Sequence, residues 1–170
     1  MSSHDGLDLN FLVASGAIML PKILLVIHVI GVIIWIGGVA FVTMVIFPMM
    51  YQTEGSLEKA LLFQRVEHRF AGMVRWLIAI VGITGFWLLY VKYSLVILAQ
   101  RQGIGILMMI FAWTLYTVIL LSERKIFSKI FADPEKIDMN NALKIINGMH
   151  WVLLVISISA VAGGVWFGHS

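Results

Sequence analysis

The chain contains five histidines and no cysteine. Any transition metal or haem iron must therefore be met by imidazole, thioether, amine, phenol or carboxylate. Disulfides, thiolate catalysis, iron–sulfur clusters and covalent haem attachment through Cys-x-x-Cys-His are excluded. Three of the histidines, His28, His68 and His150, sit within or at the start of long apolar runs, whereas His4 and His169 lie near the chain ends. An imidazole in hydrocarbon costs free energy unless its nitrogens are satisfied, which makes each of the three a candidate ligand.

Two helical faces carry these histidines. His28 is followed by Gly31, Trp35 and Gly38 at i+3, i+7 and i+10. The two glycines strip that face, so either a planar group or another helix can lie against the imidazole. The second face runs Arg65, His68, Gly72, Arg75, Ala79 and Gly82, at i, i+3, i+7, i+10, i+14 and i+17. A histidine beside a gap, with an arginine on each side, suits haem b. The imidazole ligates iron, the missing side chain admits the macrocycle, and the guanidinium groups pair with propionates. The same spacing also serves close helix packing, and arginines at a membrane edge also meet lipid phosphate. The candidate metal ligands are thus His28, His68 and His150, with Arg65, Gly72, Arg75, Gly31 and Trp35 as candidate contacts to the cofactor.

Depth restricts which histidines can share an iron. With each apolar run centred in a bilayer, His150 lies ~10 Å and His68 ~20 Å from the midplane on one side, and His28 ~12 Å on the other. Tilt can bring His68 and His150 closer to one level, but His28 needs a different partner. On its side the candidates are His169, Met108 and Met109. A histidine–methionine pair is a known axial set for haem.

The elements that position these residues follow from composition. Of 170 residues, 61% are hydrophobic and 12% charged, with a mean hydropathy of +0.97. These values place the chain in the membrane class and fit one domain over residues 1–170. Four apolar spans are predicted at about residues 23–47, 71–90, 104–121 and 145–167. The first is expected to end at Pro48 and a glycine-containing loop. The second is preceded by an amphipathic segment over 57–70 at the membrane surface. After the third, a surface helix, a turn at Asp133-Pro134 and a new helix start are expected. Short connections between four spans imply an all-α, integral-membrane four-helix bundle.

Charge sets the orientation. The net charge of +3 comes from residues that flank spans rather than from a soluble basic patch, so nucleic acid is not an expected partner. Lys59, Arg65, Arg69, Arg124, Lys125, Lys129, Lys136 and Lys144 gather on the side where the first span ends. Lys22, Lys92 and Arg101 lie on the other. The positive-inside rule then gives an N-out, C-out protein of the inner (cytoplasmic) membrane of a bacterium. Asp5 and Asp8, with no Lys or Arg before Lys22, do not make the positive n-region of a signal peptide. No paired carboxylates lie within a span, which argues against a cation transporter and a di-iron site.

Three segments carry a family likeness. IHVIGVIIWIGGVAF resembles the first helix of the HemJ-type protoporphyrinogen oxidases and of the related CopD-like membrane domains. FQRVEHRFAGMVRWLIAIVGITGFWLL is similar to the next segment of that superfamily, with a helix ending near Thr-Gly, and LKIINGMHWVLLVISISAV to its last helix. The likeness covers roughly residues 22–168 and implies haem b, with His28 at the position of the family's important histidine.

Together these features lead us to expect a b-type cytochrome of the membrane, passing electrons between a quinol or membrane partner and another redox centre. A HemJ-like porphyrinogen oxidase and a CopD-like copper-handling protein are the alternatives. The ten methionines are scattered rather than paired as Met-x-x-Met, which gives copper no local motif. The sequence leaves the oligomeric state open, a homo-oligomer included.

Overall fold

The computed structural model describes residues 4–92, 95–130 and 138–168. The expected turn at Asp133-Pro134 and the candidate His169 lie outside the described residues. Among the described residues there is no strand, and four helices are long and apolar enough to cross a membrane: Met19–Gln52, Leu57–Val91, Gly103–Ser122 and Asn140–Gly168. The chain is an all-α, multi-pass four-helix bundle.

The first transmembrane rod is α1 (His4–Phe41), a π-helical turn (Val42–Ile46) and α2 (Phe47–Gln52) in direct succession. Proline 48 was expected to end this span, yet the helix continues through it. Proline lacks an N–H and its ring crowds the carbonyl four residues back. The wide π turn immediately upstream re-spaces that carbonyl, and Pro48 sits in the first turn of α2, where an N–H has no obligatory partner. The rod stops instead at Thr53, whose backbone is extended (φ −70°, ψ 133°), and the chain reverses through Gly55 at φ +87°. That positive φ favours glycine because it has no Cβ to clash.

Helix α3 (Ser56–Lys92) joins two expected segments. The amphipathic segment over 57–70 and the second span form one uninterrupted helix of 37 residues, ~55 Å long, well beyond a ~30 Å hydrocarbon core. A short 3₁₀ segment, Leu95–Ala99, leads to α4 (Gly103–Ile130). Helix α5 (Met139–Gly168) is N-capped by Asp138, whose carboxylate accepts the backbone N–H groups of Asn140 (3.1 Å) and Asn141 (3.2 Å).

Helices pair most extensively as α1 with α3 and α4 with α5, and α1–α5 and α3–α4 contacts close the ring. Small residues permit the tight approaches. A Cβ added to Gly31 would stand 2.8 Å from a Val81 methyl, and one on Gly105 would stand 2.7 Å from the Gly164 Cα. Two cores result. A central one contains Trp35, Val39, Val74, Ile78, Val81, Tyr116, Leu153 and Leu154. A second, at the end where α1 gives way to α2, contains Val42, Phe47, Met50, Ala60, Phe63, Leu143 and Ile146. The outward faces stay apolar, as at Ile33, Ile83, Leu121 and Val155, which is the pattern of helices solvated by lipid.

Candidate functional site

His28 is seated on α3. Its Nδ1 lies 3.1 Å from the Val81 carbonyl oxygen and 3.1 Å from Thr84 Oγ1. A carbonyl only accepts, so Nδ1 carries the proton. Thr84 donates its own hydroxyl proton to the Ile80 carbonyl (2.6 Å), leaving Oγ1 to accept from the same imidazole N–H. The ring rests where Gly85 has no side chain; a Cβ there would be 2.9 Å from His28 Cε1. In a neutral ring so held, Nε2 keeps its lone pair, and ring geometry directs it away from the Val81 carbonyl. An imidazole anchored through Nδ1–H to a carbonyl is the arrangement that orients a metal-ligating histidine.

The rest of the His28 face is closed by the same helix. Val81 fills the space at Gly31, and Phe70 and Met73 fill the space at Gly38. The sequence left that face open to a planar group or a helix, and a helix occupies it. Trp35 lies in the central core, 4% exposed, edge-on to Tyr116 with ring centroids 4.6 Å apart. Its Nε1 is a buried donor without a hydrogen-bond partner. Such atoms are rare and ask for an acceptor that the described residues do not supply.

His150 occupies the second core. Its Nδ1 donates to the Ile146 carbonyl, one turn back in α5, at 2.9 Å. Its ring stands edge-on to Phe47, with centroids 5.1 Å apart and planes at 66°. Here too Nε2 is left with the lone pair of a neutral ring. Asn147, one turn before His150, donates from Nδ2 to Tyr51 Oη at 3.3 Å, and its Oδ1 is buried without a partner. His28 and Phe47 are 19 positions apart on one rod, ~28 Å at helical rise, so His28 and His150 lie at opposite ends of the bundle.

His68 lies elsewhere. It is exposed, as are Arg65 and Arg69, while Gly72 and Arg75 are half-buried. The buried residues of α3 at this level and below are Ala71, Val74, Ile78 and Val81, on the opposite side of the helix. The Arg65–His68–Gly72–Arg75 face therefore looks out of the bundle, and His68 is not brought against His28 or His150 in any described contact. Met108 and Met109 lie over Gly163 and Gly164 of α5, filling the gap between the last two helices. Among the described residues no group of three or more His, Asp or Glu converges on one point.

Sequence reasoning missed Val81, Thr84 and Gly85 as the seat of His28. The available signal was the Thr84-Gly85 pair, a hydroxyl beside a missing side chain inside an apolar run. Trp113 was missed as well: its Nε1 donates to the Ile78 carbonyl at 2.9 Å and its ring lies over Gly82. Comparison with protein-family models, characterised proteins and solved structures gave no match to this chain.

Proposed function

We propose that this protein binds haem b within the membrane as a b-type cytochrome, with His28 as an axial ligand. The observation that carries this reading is the anchored imidazole: Nδ1–H held by Val81 and Thr84 of another helix, with Nε2 turned away. The imidazole is a suitable donor for haem iron. An imidazole so fixed is the commonest protein ligand to haem iron. His150 offers the same donor chemistry at the other end of the bundle, so it belongs to a separate site rather than to the second face of one haem. Bound haem supplies one-electron chemistry; the chain contributes ring orientation and an apolar surround that keeps water from the iron. We place the protein in a cytoplasmic membrane with both termini outside, exchanging electrons with a quinol or a membrane redox partner.

The test is a spectrum. Detergent-purified protein from haem-replete cells should show a Soret band and a sharp reduced α-band, and His28→Ala should lose it. A colourless wild-type preparation, or full haem content in His28→Ala, would refute the assignment. Turnover of a porphyrinogen by the haem-loaded protein would identify it as an oxidase of the HemJ kind rather than a carrier.

A further inference from the structure

The outward face of α3 carries chemistry that the His28 site does not use. Arg65, His68 and Arg69 are exposed, and one turn further along is Gly72, where an added Cβ would meet nothing within 4 Å. Beyond this gap comes Trp76, 75% exposed, and then the exposed apolar residues Ile80, Ile83 and Trp87 on the same helix. At 100° per residue, Arg65, Arg69, Gly72 and Trp76 fall within a narrow sector, with His68 and Arg75 along one edge. The buried residues Ala71, Val74 and Ile78 lie on the far side. In order from the helix N-terminus, the stripe thus reads cation, gap, exposed indole, aliphatic surface.

We infer that this stripe binds one anionic phospholipid, with its phosphate among Arg65, His68 and Arg69, its glycerol at Gly72 beside Trp76, and an acyl chain along Ile80 and Ile83. Charge and depth both select a lipid. Guanidinium groups pair bidentately with phosphate oxygens, and the bond from Arg65 Nε to the Leu61 carbonyl, 3.4 Å long, uses one of five N–H donors. By helical rise Trp76 lies ~12 Å deeper than His68 and one turn past Gly72, so its exposed indole meets the upper acyl chains, and the apolar stripe continues from it into the hydrocarbon. Glu58, two turns before Arg65, is exposed on the same side. Its carboxylate bounds the site and disfavours a second anion further out. A soluble anion would gain nothing from Trp76, Ile80 and Ile83, whereas a lipid uses the whole stripe.

The experiment is native mass spectrometry of the delipidated full chain with phosphatidylglycerol and phosphatidylcholine of identical acyl chains. Wild type should retain phosphatidylglycerol preferentially, and Arg65→Gln with Arg69→Gln should reduce that preference by about fivefold for each arginine removed. Arg101→Gln, at the other end of the bundle, should leave it unchanged. Gly72→Leu, whose Cβ would meet nothing within 4 Å, should weaken retention of the lipid by filling its seat, with an unchanged melting temperature showing that the fold is kept. Equal retention of the two lipids by wild type, or an undiminished preference in the double variant, would overturn the inference. So would displacement of phosphatidylglycerol by millimolar inorganic phosphate, which would identify a soluble-anion site instead.

Discussion

His28 and His150 present the same functional group in the same hydrogen-bonded form, each with Nδ1–H on a carbonyl oxygen, yet the two bonds differ in kind. That of His150 reaches back four residues within its own helix, and any helical histidine with a suitable rotamer can make it. That of His28 spans 53 residues to another helix, is doubled by Thr84, and depends on a glycine opposite the ring. A local bond satisfies a polar atom. A tertiary one also fixes where the ring stands relative to the rest of the bundle, which is what an axial ligand needs.

If His28 holds haem as proposed, the largest effect that tests this contrast is on haem content. His28→Ala should lower retained haem by about tenfold or more, while His150→Ala leaves the His28 site loaded. Equal losses in both would erase the distinction. Next in size, Phe47→Ala removes a nearly fully buried ring from the second core and leaves His150 without its edge-on partner. A loss of about 3–5 kcal/mol in unfolding stability in detergent is expected, with the His28 spectrum unshifted until the protein unfolds. Gly85→Val drives a side chain into the imidazole and should cost about 1–3 kcal/mol through the α1–α3 contact, with a displaced Soret band as its signature.

Thr84→Val keeps shape and removes one of the two acceptors facing Nδ1. Haem affinity should fall by about tenfold, and Thr84→Ser should restore it. An unchanged affinity in Thr84→Val would mean that the Val81 carbonyl holds the ring alone. The smallest effect belongs at the other end. Tyr51→Phe breaks two 3.3 Å hydrogen bonds, to the Leu143 carbonyl and from Asn147, and should cost about 0.5–1.5 kcal/mol with no change in the spectrum.

Much of the architecture was legible in the residues. Four apolar runs long enough to cross a bilayer, the helical class, and the identity of the polar groups inside the runs follow from hydropathy and spacing, because in lipid a backbone must satisfy its own hydrogen bonds. The ends of elements were less legible. Pro48 looked like a terminator, and only the π turn before it shows why it is not. The charged segment over 57–70 reads as an amphipathic approach to the second span, and because nothing between Arg69 and Ala71 breaks the ladder, the two run on as one helix, α3.

What the sequence determined by itself was that His28 stands in hydrocarbon on a face stripped by Gly31 and Gly38, and that Arg65, His68, Gly72 and Arg75 share a face of the next long helix. Only the tertiary structure decided what meets those faces. It turned the first toward α3, where Val81, Thr84 and Gly85 receive the imidazole, and turned the second outward, with Arg65 and His68 exposed. The physical reason is that periodicity fixes which side chains share a side of a helix, whereas the rotation of each helix about its axis is set by packing against its neighbours.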